Sequence, residues 1–319
     1  MQSPTQEIVE KVILENFIEY QYLFVEFQTK FLSGLFFKYQ SIESGNLVLY
    51  YAKQAHQDIL RKKDYDLNFN ISFDKFWKNH HESNPPRIPI IKIGEDTFLP
   101  KETARRKILQ LINQKVLNKK NRNIGFLPNE QYKQSYNVFI EGEIKEVCKL
   151  ICYVCDKINF STTREKVVEE VKDKFSFYWF HYLGAQLEYL KLWIKQLKDV
   201  ELVLIALQVV HLFTLRAKEK KLSHTNIFDN PSLIKEYISA SISATSVAEV
   251  TGIPRATCVR KLEILVKKKI ISKDKISKKY YITPSVIGNN VFSRNITEKV
   301  TKLFSNFYFI CIRALVTKI

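Results

Sequence analysis

The stretch "SVAEVTGIPRATCVRKLEILVKKKIISKDKISKKYYITP", Ser246–Pro284, decides the fold. Ser246 to Thr251 predicts a short helix, and Gly252 supplies the positive-φ residue that a tight turn after a helix requires. Ile253 is placed to pack inward, while Pro254 stands at the next helix start, where its missing N–H costs nothing. Val259, Leu262, Leu265 and Val266 form an apolar stripe at helical spacing, which turns Arg255, Ala256, Thr257, Arg260 and Lys261 to the other side. Two strands, about 270–273 and 279–283, follow around the polar tip "DKISK". The segment reads as helix, turn, helix and basic hairpin.

A related segment lies 154 residues earlier, "LPKETARRKILQLINQKVL", Leu99–Leu117. Aligned with Ile253–Ile271 it gives identities at Pro100/Pro254, Thr103/Thr257, Arg106/Arg260, Lys107/Lys261, Leu111/Leu265 and Lys115/Lys269. On the N-terminal side "NLVLYYAKQAHQDILRKK" from Asn46 matches "ELVLIALQVVHLFTLRAK" from Glu201, and on the C-terminal side "NVFIEGEIKEVCKL" from Asn137 matches "NVFSRNITEKVTKL" from Asn290. Matches in one order at a nearly constant offset mark an internal duplication. The expected architecture is mainly α: two tandem repeats, 1–160 and 161–319, each a helical bundle followed by a helix-turn-helix with a small β-hairpin. The two helix-turn-helix regions fall at about 70–130 and 230–285.

Residues 6–40 carry apolar side chains at helical spacing, from Val9 to Phe31, and predict one long helix with a broad buried face. A second helix is expected over about 46–63, and its counterpart over about 200–220 is apolar enough to sit inside a bundle. Pro85, Pro86 and Pro89 end a helix and open a loop, which makes His80 and His81 loop residues by expectation. In the first repeat "IPIIKIGEDTFLP" predicts an irregular or extended piece where the second has its short helix.

With 50 Lys+Arg against 33 Asp+Glu the chain of 319 residues carries +17. A gene of AT-rich composition yields lysine excess without any binding role, so bulk charge decides little. Its distribution decides more. Ile253–Lys279 holds a local +8 and Leu99–Phe126 a local +7, together +15 of the total, and such concentration points to a polyanion.

The segment Gly252–Ile271 resembles the turn and recognition helix of winged helix-turn-helix DNA-binding domains, as found in many bacterial transcription regulators, over about 40 residues per repeat. The resemblance implies a second helix entering the major groove by its N-terminal residues, with the hairpin, or wing, on the adjacent backbone or minor groove. Carried onto this chain, Arg255, Thr257, Arg260 and Lys261 would contact base edges or phosphates, and Lys273, Lys275, Lys278 and Lys279 would form the wing. In the first repeat the matching set is Lys101, Thr103, Arg105, Arg106 and Lys107, with Lys119, Lys120 and Arg122 in a shorter wing. Glu102, where the second copy has Ala256, places an acceptor in that set. The expected function is sequence-specific binding of double-stranded DNA by a pseudo-dimer within one chain, in transcription regulation. A plasmid-type replication initiator and a winged-helix protein-docking module are the rival readings.

Phosphate loops, dinucleotide fingerprints, zinc-protease pairs and nucleophile elbows are missing from the sequence, and eight glycines leave little material for cradling loops, so no enzyme and no cofactor are expected. Cys148, Cys152 and Cys155 share one helix face beside Leu150, Ile151 and Val154 and are expected in a core, without metal. The start "MQSPTQEIVEKV" lacks the shape of a secretion signal, and the longest apolar run, Val200–Phe213, contains Glu201 and His211. A cytoplasmic protein with free thiols and no membrane partner is the expectation.

Overall fold

The computed structural model describes residues 4–81, 87–221, 238–282 and 291–317. The protein is mainly helical, with two small antiparallel two-stranded sheets among the described residues. The long N-terminal helix is two: α1 (Gln6–Glu15) and α2 (Phe17–Tyr39). The break falls at Asn16, whose backbone leaves the helical region at φ −109° and ψ 31° and whose side-chain amide donates to the Val12 carbonyl at 2.9 Å. Then come α3 (Ile42–Tyr65) and α4 (Phe76–His81). His80 is therefore helical and 2 % exposed, against the expectation of a loop residue, because Phe76 and His80 share one face that stacks into an aromatic cluster. Pro85 and Pro86 lie outside the described residues.

A second correction concerns "IPIIKIGEDTFLP". It forms α5 (Ile90–Thr97) in place of an irregular piece. Gly94 and Phe98 argue against a helix there, yet Gly94 is needed: a Cβ on it would stand 2.8 Å from the Leu99 carbonyl oxygen. Phe98 takes the left-handed conformation at φ 59°, and burial of Ile93 and Leu99 offsets that strain. There follow α6 (Lys101–Asn113), β1 (Asn118–Lys120), β2 (Asn123–Gly125), α7 (Glu130–Lys157), α8 (Arg164–Asp173), α9 (Phe175–Leu197) and α10 (Val200–Glu219). The remaining elements are α11 (Ala244–Thr251), α12 (Arg255–Lys267), β3 (Ile271–Lys273), β4 (Tyr280–Ile282) and α13 (Val291–Thr317).

The chain divides into two compact units that do not follow the expected boundaries of 1–160 and 161–319. The first comprises the N-terminal residues up to Val9, Glu43–Lys195 and the C-terminal segment from Leu303; the second comprises Glu10–Ile42 and Gln196–Lys302. Thus α9 belongs with α3–α8, and α2 belongs with α10–α12.

In the first unit, Asn46 on α3 donates to the Thr97 carbonyl at 3.0 Å and the Tyr50 hydroxyl donates to Asp96 at 3.1 Å, which fixes α5 against α3. Trp179, Tyr182 and Tyr189 of α9 are buried, and Tyr182 and Tyr189 meet Phe307 and Phe304 of α13. Cys148 and Cys155 on α7 and Cys311 on α13 are fully buried free thiols, their pKa values raised chiefly by burial. The C-terminal segment from Leu303 therefore packs within the first unit.

In the second unit α10 packs against α2, α11, α12 and β4. Asp199 caps it by accepting from the N–H groups of Glu201 and Leu202. Val200–Glu219 and Ile296–Thr317 are long and apolar enough to span a bilayer by composition, although 67 % and 50 % of their apolar windows are buried inside the fold.

Candidate nucleic-acid interface

Each unit carries helix, turn, helix and hairpin in that order, and the turns are built alike. Phe98 and Gly252 sit in the left-handed region and donate to the carbonyls of Gly94 and Ala248. Pro100 and Pro254 stand at the N-cap of α6 and α12, both with extended backbone, and their carbonyls accept from Ala104 and Cys258 at 2.9 and 3.0 Å. The helices also end alike, since Lys115 and Lys269 are left-handed and Val116 and Ile270 donate to Leu111 and Leu265 at 3.0 Å.

On α6 the buried stripe is Ala104, Ile108 and Leu111, which leaves Lys101, Arg105 and Arg106 exposed and Thr103 and Lys107 half-buried. Glu102 lies 3.8 Å from Arg105, both side chains mostly in water, so the pair is worth little. Lys119, Lys120 and Arg122 are exposed on the β1–β2 hairpin.

On α12 the buried stripe is Cys258, Lys261, Leu262 and Leu265; Val259 and Val266 are only half-buried, against expectation. Arg255 and Arg260 are exposed and Thr257 half-buried. The Arg255 Nε donates to the Thr245 hydroxyl at 3.0 Å, so α11 aims this guanidinium. Lys273, Lys275, Lys278 and Lys279 are exposed on the β3–β4 hairpin. Lys273 is compensated by Glu263 at 2.7 Å, and the Tyr280 hydroxyl donates to the same carboxylate at 2.7 Å. These hydrogen bonds hold Glu263 below the usual carboxylate range.

Lys261 is the site residue that the fold places elsewhere. It is 6 % exposed and its ammonium meets Asp199 at 2.5 Å and Glu201 at 2.9 Å, at the start of α10. Burial pulls its pKa down, but hydrogen bonds and charges from the two carboxylates together outweigh this and raise it. Its charge is spent on joining α12 to α10. The positions 155 residues earlier are Ser44 and Asn46, neither of them a carboxylate.

Sequence reading missed Asp199, Glu201 and Thr245 as organisers of this face. Asp199 carries a legible signal as a helix cap, but nothing local links it to a lysine 62 positions away. Among the described residues, Lys101, Arg106, Lys119, Lys120, Arg122, Arg260, Lys275, Lys278 and Lys279 have no carboxylate partner. Each unit thus exposes one helix face and one hairpin of uncompensated cations, an arrangement able to bind phosphates and, through Arg, base edges. No protein family, curated protein or solved structure matches the chain.

Proposed function

We propose that this chain is a sequence-specific double-stranded DNA-binding protein that regulates transcription in the cytoplasm, built as a tandem repeat of two winged helix-turn-helix units. The observation that carries the reading is the recurrence of uncompensated arginines at one helix position, Arg106 and Arg260, each beside a basic hairpin. In this reading α6 and α12 are recognition helices that present Arg106, Arg255 and Arg260 to base edges. The hairpins are wings on the backbone, where Lys119, Lys120, Arg122, Lys275, Lys278 and Lys279 meet phosphates. A protein-docking module would have no need of the same uncompensated cations in both units.

The testing experiment is selection of bound duplexes from a random library with the full chain, washed at rising salt. Two related half-sites about one helical turn apart are expected, with the half-site of the second unit read more strictly. With about six to ten phosphate contacts, affinity falls roughly a thousandfold or more from low to moderate salt. Failure to retain any duplex at low salt would refute the proposal.

A further inference from the structure

The β3–β4 hairpin ends in a feature that phosphate binding does not use. Ile276, at its apex, is 92 % exposed, a large apolar side chain held in water among Lys275, Lys278 and Lys279. The apex is rigidly made. Asp274 accepts from the Ser277 N–H at 2.6 Å and from the Ser277 hydroxyl at 2.5 Å, and its own N–H donates to the Lys279 carbonyl at 2.9 Å. Lys278 takes the left-handed conformation at φ 57° and donates to the Asp274 carbonyl at 3.1 Å, closing the loop. Below the apex, Glu263 clamps Lys273 and Tyr280, so the hairpin is tied to α12 at its base. A preformed tip loses little freedom when it binds.

The other hairpin differs at this point. Its strands turn over Asn121 and Arg122, which expose polar and charged groups and no apolar one.

We infer that Ile276 is an apolar wedge for the DNA minor groove: it enters between the lysine-held strands, partly unstacks one base step and bends the duplex there, while the first hairpin only grips the backbone. The inference rests on the DNA-binding reading above. A minor groove about 6 Å wide excludes a helix but admits a hairpin tip. Aliphatic side chains inserted at such a tip open base steps, and pyrimidine–purine steps such as TA open most easily. The flanking lysines match the phosphates on the groove walls, which are the anions nearest an inserted apex.

The test uses the full chain and the duplex enriched by selection, with 2-aminopurine replacing the adenine of each TA step in turn and a donor–acceptor dye pair on the duplex ends. Wild type is expected to raise the 2-aminopurine emission at one step and to shorten the end-to-end distance. Ile276→Ala should still bind the duplex but lose both signals, and Ile276→Phe should keep them. Because the side chain is exposed, both variants should melt at the wild-type temperature. A straight duplex and a silent probe at saturating wild type would overturn the wedge and leave DNA binding intact. If no duplex binds, both readings fall; flotation with phosphatidylserine vesicles, retained by wild type and lost in Ile276→Ala, would then assign the tip to an anionic membrane surface.

Discussion

At the residue scale, compensation separates cations that look equal in the sequence. Lys273 shares its charge with Glu263 at 2.7 Å, whereas Lys278 has no carboxylate partner among the described residues. If the chain binds DNA as proposed, Lys278→Ala should reduce the salt slope of binding by about one and weaken all duplexes alike, and Lys273→Ala should change it less. In the DNA-binding reading, Arg260→Ala should instead cost roughly 1–3 kcal/mol and relax sequence preference, since a bidentate contact from arginine to a guanine edge distinguishes bases whereas a lysine on phosphate does not. Equilibrium binding to the selected and to scrambled duplexes over a salt series checks all three. Gly252 is set by a different constraint: at φ 73° a Cβ would also stand 2.5 Å from the Phe37 ring. Gly252→Ala should destabilise the second unit by about 1–3 kcal/mol, read as a lower denaturation midpoint.

At the scale of elements, two internal contacts set how the helices are held. Lys261 ties α12 to the first turn of α10 through Asp199 and Glu201, which remain 32 % and 23 % exposed. Lys261→Ala leaves two neighbouring carboxylates without their cation; allowing for that exposure, a loss of about 1–3 kcal/mol is expected in chemical denaturation, with restoration when Asp199→Asn and Glu201→Gln are added. In the first unit, His56 lies fully buried between Phe76 at 4.5 Å and Phe175 at 5.1 Å, and neither ring nitrogen has a hydrogen-bond partner among the described residues. Burial first, and nearby His80 second, push its pKa well below the ordinary 6.5. The folded state therefore keeps the imidazole neutral while the unfolded chain takes up a proton, so stability is fully present above 6.5 and is lost as pH falls below it. Between pH 7 and 5, wild type should lose more stability than His56→Phe, measured by urea denaturation across that range.

At the scale of the whole molecule, the compact units cut across the expected halves 1–160 and 161–319. The first unit takes α9 from the second half of the chain, and with it the buried Phe175, Trp179, Tyr182, Tyr189 and Leu190. Each such side chain contributes about 1.5–3 kcal/mol on burial, so their sum is comparable with the roughly 5–15 kcal/mol net stability of a domain. Fragments 1–160 and 161–319 should therefore lack cooperative thermal transitions when made separately and regain one on mixing, followed by near-ultraviolet circular dichroism. Two independent cooperative melts from the separate fragments would contradict this division.

Local rules were enough for much of the candidate site. Gly252 announces its turn because only a residue without a side chain enters that conformation freely, and the stripe Leu262, Leu265 announces α12 through its period. The repeated arginines and the basic hairpins were equally legible, because charge and turn chemistry are properties of short segments. Burial and pairing were not. Phe98 adopts a left-handed turn that its own preference opposes, and α5 forms across Gly94, because packing of Ile93 and Leu99 outweighs local propensity. Lys261 reads as a surface cation, yet contacts from Asp199 and Glu201, distant in sequence, take it inside. The sequence by itself determined the mainly helical class, the Gly252 turn with α12 after it, and the two clusters of basic residues; only the tertiary structure decided that α5 is a helix, which helices share a core and which cations remain uncompensated, because these depend on long-range contacts whose partners no local pattern names.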